Sequence, residues 1–300
     1  MKKTCPLCGD ECIFRYKMTK YNIYQCVHCH TGLSDPLPAT EELQSFYSGF
    51  IPNLNKKNII RNIENARRFF DKMEINSRQQ KLSLLDIGGG GGLFSYAFEH
   101  YGYGESTYID LDPISCKFVK NELGISNVIN GDASRFYKHS NKKFDVIYSR
   151  HLLEHLLAPL EFIRNVMKCL APEGLCIHQF PNGDSWEYLP YGKMIAPRFK
   201  NIYQSSKIPK WKLAGKILSG QMLHGIDPPR HLWAFTAKGI KIFAKENGFS
   251  IKIFSAHLGE LPFSPGYCSP KSRKDQFLHF LGQQCFARKA GGTHLIAIFS

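Results

Sequence analysis

The sequence predicts an α/β protein with a Rossmann-like, doubly wound sheet and a small β-ribbon at the N-terminus. Three observations lead to this prediction. A strand-like apolar run at 82–87 ends in consecutive glycines, strand-like and helix-like segments alternate after it, and two Cys-x-x-Cys pairs precede it. Alternating strands and helices are typical of a parallel sheet that carries helices on both faces.

The length allows one large domain and a small appendage. The chain has 300 residues, of which 43% are hydrophobic, and this is ample for a packed core. We expect a ribbon at 1–35, a helical linker or cap at 36–80, and a main domain at 81–300 with an insertion at 183–234. Within the linker, apolar residues at helical spacing predict a long helix at about 57–73.

The two cysteine pairs predict a structural zinc site. Seventeen residues separate the pairs, and the alternating segments between them are typical of a hairpin that brings four thiolates together around zinc. Four protein ligands leave no open position on the metal, so this zinc should fold the ribbon and take no part in chemistry. The predicted ligands are Cys5, Cys8, Cys26 and Cys29. A disulfide pair, or replacement of one cysteine by His28, His30 or Cys12, remains an alternative.

The charge of the chain points to acidic partners. With 39 basic and 25 acidic residues, the formal net charge is +14. Phosphorylated glycans, nucleotide sugars, an anionic membrane surface and RNA all fit this charge, and so does a simple solubility effect. The N-terminus lacks a signal-peptide pattern, and no apolar run approaches the roughly 20 residues of a membrane span, so we expect a cytoplasmic protein without a membrane span.

The glycine run at 88–92 predicts a nucleotide-binding turn. A buried strand ends at Asp86-Ile87, and a helix should begin at about Gly92. Glycine allows positive φ and close approach to a ligand, and a helix start offers N–H groups to it. The pattern D-x-G-x-G-x-G fits Asp86, Gly88, Gly90 and Gly92. The dinucleotide pattern G-x-G-x-x-G does not fit, because Leu93 and Phe94 follow. Taken alone, the run could also be a linker or a plain turn.

The next strands end in polar residues that should meet at the same edge of the sheet. The strand at 106–110 ends in Asp110, which we expect to bind ribose hydroxyls, whereas Asp112 precedes Pro113 and should cap a helix. A third strand at 127–130 leads to Asp132 and Ala133. The fourth strand, at 144–149, ends in Ser149 and should join this cluster.

The sequence after the fourth strand predicts a helix, a proline-glycine stop and a fifth strand. We expect a helix from near Leu152, a further helix from Pro159 that ends toward Gly174, and a strand at 175–180. In this arrangement His155 faces the crevice beyond the strands. A buried, hydrogen-bonded histidine without a function is the alternative.

Four ordered motifs resemble those of class I S-adenosylmethionine (SAM)-dependent methyltransferases. They are the glycine motif at 86–92, F-D-x-I at 144–147, L-E-H at 153–155 and L-x-P-x-G at 170–174. The resemblance implies a seven-stranded sheet whose last strand is antiparallel, with SAM as the cofactor. It also implies that Asp132 accepts a hydrogen bond from the adenine and that Ala133 lies against the ring. The cofactor-binding residues are then Asp86, Gly88, Gly90, Gly92, Asp110, Asp132, Ala133 and Ser149.

A finer resemblance concerns the acceptor of the methyl group. The ribbon, the linker and Pro229-Arg230-His231-Leu232-x-x-Phe235-Thr236 resemble bacterial methyltransferases of glycan and polysaccharide biosynthesis. This resemblance implies O-methylation of a sugar, nucleotide-sugar or glycan hydroxyl. Related zinc-bearing sugar C-methyltransferases are longer. One alternative is an rRNA or tRNA methyltransferase with a zinc ribbon, and another is a non-catalytic zinc-ribbon binding protein on a methyltransferase-like body.

Three residues are the candidate catalytic groups. We expect His155 to remove the hydroxyl proton, His231 to be the second candidate for this role, and Arg230 to anchor an anionic acceptor. The insertion at 183–234 interleaves basic and aromatic residues and should form a lid over a phosphate- or sugar-bearing small molecule. The sequence does not predict an oligomeric state.

Overall fold

The computed structural model describes residues 3–47, 56–75, 81–133, 142–185, 225–256 and 294–300, with positions 200, 202–205, 208, 209, 211, 212, 215 and 223 between them. Most of the predicted lid lies outside these residues.

The described strands follow the chain in this order: β1 (Lys3–Thr4), β2 (Glu11–Met18), β3 (Tyr21–Cys26), β4 (Gly32–Asp35), β5 (Leu82–Ile87), β6 (Gly104–Asp110), β7 (Asn127–Asn130), β8 (Phe144–Arg150), β9 (Leu170–Pro181), β10 (Trp233–Ala234), β11 (Ile251–Ala256) and β12 (His294–Phe299). The helices are α1 (Thr40–Tyr47), α2 (Lys56–Lys72), α3 (Leu93–His100), α4 (Pro113–Asn121), α5 (Pro159–Met167) and α6 (Ala237–Glu246). Not one of these helices is both long enough and apolar enough to cross a bilayer.

The main sheet has seven strands in the order β11–β12–β9–β8–β5–β6–β7. Strands β5 to β9 pair in parallel, and β12 pairs antiparallel with both β9 and β11. The predicted α/β fold with a seven-stranded sheet is therefore confirmed. The strand order reverses between β5 and β8, and open α/β sheets bind ligands at the carboxyl ends of the strands beside such a switch point.

Helices cover both faces of this sheet because its central strands are apolar on both sides. Leu84 of β5 packs in a cluster with Phe70 of α2, whereas its neighbour Leu85 packs in the cluster that contains Phe162 of α5. Side chains of successive strand residues point to opposite faces, so a buried parallel strand needs apolar residues at nearly every position.

The stretch at 170–174 differs from the prediction. We expected it to end a helix, but α5 ends at Met167 and β9 begins at Leu170. Phe144 pairs with Leu170, while Val146 pairs with Leu175, so β9 carries extra residues opposite β8. The extra residues form a bulge, in which Glu173 has a φ of 61°. The proline-glycine sequence therefore marks an irregularity within a strand and not the end of a helix.

The N-terminal ribbon is a five-stranded sheet in the order β1–β2–β3–β4–β10. Its last strand comes from residues 233–234, at the end of the stretch predicted as an insertion of the main domain. Buried Tyr16 and Ile23 of the ribbon also cluster with Leu223 and Ile226 from that stretch. The ribbon sheet is thus built from two distant parts of the chain. The predicted ribbon at 1–35 therefore does not contain the whole sheet, because β10 lies in the range predicted for the main domain.

Candidate active site

The glycine turn joins β5 to α3 at the switch point of the sheet. Gly88, Gly90 and Gly92 have φ values of 65°, 54° and 67°, which residues with a side chain rarely adopt. Helix α3 starts at Leu93, with Gly92 as its N-cap, within one residue of the predicted start. The three positions singled out by the sequence pattern are therefore the positions at which this turn requires glycine.

Asp110 and Tyr108 hold the turn from β6. The Gly90 N–H donates to Asp110 Oδ2 at 2.9 Å, and the Tyr108 hydroxyl donates to the Gly90 carbonyl oxygen at 2.6 Å. Asp110 Oδ1 accepts a hydrogen bond from the Asp112 N–H at 2.9 Å. Each carboxylate oxygen retains further acceptor capacity, so Asp110 can also accept hydroxyl donors from a ligand. Asp112 accepts from the Ile114 and Ser115 N–H groups as the N-cap of α4, as predicted.

Asp86 stabilises the glycine turn from the interior of the protein. Its side chain is buried and accepts a hydrogen bond from the Ser95 hydroxyl at 2.7 Å, which links β5 to α3. Burial raises the pKa of Asp86 to about 7, and the nearby charge of Asp110 contributes to the rise. Any role of Asp86 in cofactor binding therefore acts through the turn that it supports.

The loop after β7 lies beside Asp110. The Gly131 N–H donates to the Asp110 carbonyl oxygen at 2.9 Å, and the next two residues, Asp132 and Ala133, are partly exposed. Leu111, which directly follows Asp110, is 60% exposed. An exposed leucine at this edge offers an apolar surface to a flat ring. The sequence reasoning missed Leu111, although an apolar residue directly after the acid of β6 was a visible signal.

Ser149 does not present its hydroxyl to this crevice. The side chain is buried, and its Oγ lies 2.7 Å from His178 Nδ1 of the neighbouring strand β9. The other ring nitrogen of His178 lies 3.3 Å from Cys176 Sγ. Because side chains alternate along a strand, proximity to the end of β8 did not guarantee that Ser149 would point outward. The predicted cofactor role of Ser149 can involve only its backbone.

The segment after β8 is not the predicted helix. It forms a single 3₁₀ turn at Leu153–His155, followed by extended backbone at Leu156 and by α5, which begins at Pro159. Proline at the first position of α5 lacks the N–H that a longer preceding helix would use. The short turn places Glu154 and His155 next to each other at the crevice, with Leu152 against the glycine turn: a Cβ added to Gly88 would lie 3.2 Å from the Leu152 side chain.

The three predicted catalytic residues lie together. His155 Nδ1 lies 2.9 Å from the Arg230 carbonyl oxygen, and the rings of His155 and His231 are 4.7 Å apart between centroids. His231 Nδ1 lies 2.9 Å from the Gly225 carbonyl oxygen. Burial lowers the pKa of His155, while the neighbouring Glu154 opposes this shift. A neutral His155 at physiological pH can accept a proton.

The sequence reasoning missed a buried carboxyl group in this cluster. Glu154 is fully buried, and burial raises its pKa, while nearby His155 acts in the opposite direction. His151 Nδ1 lies 3.0 Å from Glu154 Oε1, and the ring of His294 from β12 lies 4.9 Å from that of His151. The L-E-H motif contains Glu154, but the motif indicated only the fold class and gave no role for this carboxyl group.

The four ribbon cysteines form a second cluster. Their sulfur atoms all lie within 4.8 Å of one another, with Cys5–Cys29 at 3.5 Å and Cys8–Cys26 at 3.4 Å. Tetrahedral zinc with bonds of about 2.3 Å places sulfur atoms roughly 3.8 Å apart, so the cluster fits this ion. The N–H groups of His28 and Cys29 point to Cys26 Sγ at 3.4 Å each.

The alternative ligand sets are not assembled. Cys12 and His30 lie outside this group of four among the described residues. His28 Nδ1 lies 2.9 Å from Asp10 Oδ2 on the ribbon surface. The described cysteines are all free thiols. Burial raises the pKa of Cys8 to about 11, and a bound cation would offset this cost of ionisation.

One backbone segment ties the ribbon to the candidate active site. The Ser34 N–H of the ribbon donates to the Leu232 carbonyl oxygen at 3.0 Å, and the Leu232 N–H donates to the Glu154 carbonyl oxygen at 2.7 Å. Trp233 Nε1 donates to the Leu156 carbonyl oxygen at 2.8 Å. The position of the neighbouring His231 therefore depends on both the ribbon and the 3₁₀ turn.

A family model described as a methyltransferase domain matches residues 54–252, which is most of the chain. The chain belongs to the methyltransferase-domain family. The match runs from the start of α2 to β11 and so includes the glycine turn, the 3₁₀ turn and the segment that carries His231.

Two curated relatives of this methyltransferase domain are O-methyltransferases. The mitochondrial ubiquinone biosynthesis O-methyltransferase of Schizosaccharomyces pombe is 30% identical over 98 residues, which are 30% of this chain and 35% of that protein. The ubiquinone biosynthesis O-methyltransferase of Caulobacter sp. is 33% identical over 100 residues, which are 32% of this chain and 39% of that protein. The matched stretch therefore spans little more than a third of each relative.

Solved structures of other methyltransferases are similar to this chain. The plantazolicin methyltransferase BpumL in complex with SAH has a TM-score of 0.46 and 19% identity, with 87% of this chain and 90% of that chain covered. A SAM-dependent methyltransferase from Archaeoglobus fulgidus has a TM-score of 0.48 and 20% identity, with 80% and 93% covered.

Proposed function

We propose that this protein transfers the methyl group of SAM to a hydroxyl group of an anionic small molecule, such as a sugar, nucleotide sugar or glycan. The observation that carries the proposal is the adjacency of two clusters at one switch point. The glycine turn lies beside Leu152, since a Cβ added to Gly88 would be 3.2 Å from the Leu152 side chain, and Leu152 directly precedes the 3₁₀ turn that carries Glu154 and His155. A donor held by the turn and an acceptor held at the histidines would therefore be neighbours.

The cofactor half of the proposal uses the predicted set of residues, apart from the Ser149 hydroxyl. Asp110, already fixed by the Gly90 N–H, accepts the ribose hydroxyls, and the loop at Asp132 and Ala133 lies against the adenine. Exposed Leu111 adds an apolar surface on the same side. Bound SAM supplies an electrophilic sulfonium methyl group, and the chain holds it in place.

The acceptor half of the proposal uses His155, His231 and Arg230. Holding the acceptor oxygen in line with the methyl group can supply several kcal/mol of the barrier reduction. Activation of the hydroxyl at His155 adds roughly a hundredfold or more. The exposed Arg230 side chain pairs with Asp227 at 3.1 Å, and this surface ion pair contributes little and can rearrange around an anionic acceptor.

Two further observations support an acceptor that is methylated on oxygen and carries negative charge. The curated relatives carry names that specify O-methylation, although only about a third of their length is matched. The net charge of +14 favours a negatively charged acceptor. We also propose that the four ribbon cysteines bind a structural zinc ion, which would have no open position.

The test is methyl transfer from labelled SAM into an extract of the source cells, with and without RNase, followed by separation of polymers from small anionic sugars. We expect label that survives RNase and follows glycan or nucleotide-sugar fractions. Label lost with RNase would instead assign the RNA function, and no transfer together with no SAM binding by calorimetry would leave a non-catalytic binding protein.

A matched pair of variants tests the role of His155. His155→Ala should lower turnover by at least a hundredfold and leave SAM affinity within about twofold. His100→Ala removes an exposed histidine of α3 and should change neither quantity. Equal loss of turnover and SAM binding in His155→Ala would refute an acceptor-side role.

A further inference from the structure

Glu154, His155 and His231 form a group with the donor types of a metal site. One possible ligand atom from each residue lies within 4.8 Å of those of the other two. Within the described part of the chain, the ribbon cysteines are the only other such group. The two groups differ in chemistry, because thiolates favour zinc in a closed site, whereas two imidazoles and one carboxylate occur in sites that keep positions open.

Both imidazoles are oriented as metal ligands are. A carbonyl oxygen can only accept a hydrogen bond, so the Nδ1 atoms of His155 and His231 donate to the carbonyls of Arg230 and Gly225. A neutral imidazole with its proton on Nδ1 carries its lone pair on Nε2. Metal-binding histidines are usually fixed in this way by a hydrogen bond from the other ring nitrogen to a backbone carbonyl or carboxylate.

The carboxyl group of Glu154 provides an independent observation. Its Oε1 lies near His151 Nδ1 at 3.0 Å and near His155 Nε2 at 3.8 Å. Its Oε2 is the one buried side-chain oxygen or nitrogen, among the residues that the structure describes, without a hydrogen-bond partner. An unsatisfied carboxylate oxygen in a fully buried side chain is costly, and a cation beside it would remove that cost.

We propose that Glu154, His155 and His231 bind a divalent transition-metal cation of the Zn²⁺, Fe²⁺ or Mn²⁺ type, with open positions for the acceptor oxygen. Metal–ligand bonds of about 2.0–2.2 Å place the ligand atoms roughly 3–4 Å apart. Small side-chain rotations would therefore bring the three ligand atoms from their present separations of up to 4.8 Å to this distance. His151 then supports the carboxylate ligand through its hydrogen bond to Oε1, as a residue behind the ligands typically does.

The role of this cation in methyl transfer rests on the proposed function. A coordinated hydroxyl group loses its proton more readily, and the proton leaves to solvent. An oxygen electron pair then forms the bond to the methyl carbon, while the electron pair of the carbon–sulfur bond returns to sulfur. The sulfonium becomes the neutral thioether of S-adenosylhomocysteine. In this scheme His155 is a metal ligand. The cation activates the acceptor hydroxyl group, whereas the sequence led us to expect a histidine base in this role.

The experiment measures metal binding by the full-length protein and needs no methyl acceptor. Native mass spectrometry gives the number of Zn²⁺ ions per chain, and EPR of free Mn²⁺ gives the affinity for an ion that binds thiolates poorly. The variants are Glu154→Gln, which keeps the side-chain shape, and His231→Ala. His100→Ala is the matched histidine control, and circular dichroism checks that each variant is folded.

We expect two Zn²⁺ ions in the wild type and in His100→Ala, and one in each of the other variants. We expect Mn²⁺ affinity to fall at least tenfold in Glu154→Gln with SAM binding retained. A wild type that binds no Zn²⁺ or Mn²⁺ outside the cysteine site overturns the proposal, and so does a Glu154→Gln variant that binds both as the wild type does.

Methyl transfer separates this proposal from the proposed function. Turnover that survives complete removal of metal from this site overturns the metal proposal and leaves the methyltransferase function in place. Metal binding that Glu154→Gln abolishes, in a protein that does not bind SAM, supports the metal site and refutes the proposed function.

Discussion

At the residue scale, Gly89 is limited by space and not by backbone conformation. A Cβ at this position would lie 2.6 Å from the Tyr108 ring and 2.7 Å from Asp86 Oδ2, both of which are buried. The consensus pattern of the turn names Gly88, Gly90 and Gly92, and leaves position 89 open. The requirement for glycine at 89 arises from Tyr108 of the neighbouring strand β6 and from the Asp86 side chain of β5.

Replacing Gly89 by alanine should therefore destabilise the protein by about 1–3 kcal/mol, since a buried ring or carboxylate must move. Chemical denaturation measures the change in the free energy of unfolding. Gly131→Ala is the control, because nothing lies within 4 Å of its Cβ position and its φ is not positive. Equal stability of the two variants would contradict the argument.

His178 is a buried histidine held neutral by its surroundings. Burial lowers its pKa to about 3, and its ring lies between the Ser149 hydroxyl and the Cys176 thiol. In the unfolded chain the pKa is about 6.5. The unfolded state therefore binds a proton that the native state does not bind between these two values. The contribution of neutral His178 to the free energy of unfolding is fully present above pH 6.5 and is lost as the pH falls toward 3.

We expect the wild type to lose stability relative to His178→Asn below pH 6.5, by up to about 1.4 kcal/mol per pH unit. Urea denaturation of both proteins at several pH values between 7 and 4.5 measures this difference. His100→Ala, which removes an exposed histidine, should not show such a pH-dependent difference. A constant difference between wild type and His178→Asn would show that His178 does not carry this linkage.

At the element scale, the segment at 225–236 links three parts of the molecule. Strand β10 pairs with β4 of the ribbon, and the Thr236 hydroxyl donates to the Cys29 carbonyl oxygen at 2.6 Å. The same segment carries His231 to the 3₁₀ turn. A zinc ion at the ribbon cysteines would thus stabilise the ribbon sheet. The segment that contributes β10 to this sheet also carries His231.

Loss of the zinc ion that we propose for the ribbon should impair the acceptor side of the site more than the cofactor side. We expect Cys26→Ser to lower turnover roughly ten- to a hundredfold and to leave SAM affinity nearly unchanged, because the glycine turn has no part in the ribbon sheet. Steady-state kinetics and calorimetry measure the two effects. Cys12→Ser changes a buried ribbon cysteine outside the four-cysteine group and serves as the control. Parallel loss of SAM affinity in Cys26→Ser would argue against this separation.

At the scale of the whole molecule, the ribbon and the main sheet share one hydrophobic core. Leu7 and Cys29 of the ribbon belong to the same buried cluster as Ile87 and Phe243 of the main domain. The close approach depends on Gly239 in α6, whose added Cβ would lie 2.3 Å from Thr31 Oγ1. Parts that share a core in this way unfold together.

Thermal unfolding should therefore be a single transition that includes the ribbon. We expect one calorimetric peak for the wild type, and removal by a chelator of the bound metal that we propose should lower the temperature of that same peak. Ellipticity and tryptophan fluorescence should change at the same temperature. Two separate peaks, with only the first sensitive to chelation, would show that the ribbon is an independent unit.

Much of this architecture is local in origin and was predictable. Apolar runs, acids at strand ends, Pro113 at the start of α4 and the cysteine pairs specify their structures through backbone preferences and short-range contacts. The stretch at 170–174 was not predictable in this way, since a bulge in β9 depends on its pairing with β8. The 3₁₀ turn at Leu153–His155 likewise depends on how the chain must enter α5.

By itself, the sequence determined the alternation of strands and helices from β5 to β7, the position of the glycine turn and which four cysteines cluster, because each depends on residues close by in the sequence. Only the tertiary structure decided that β10 completes the ribbon, that the Ser149 hydroxyl faces His178, and that Glu154, His155 and His231 share one cluster. His231 lies 76 positions beyond His155 in the sequence. Spacing along the chain carries no information about such a contact, which arises from strand pairing and from the packing of the ribbon on the main sheet.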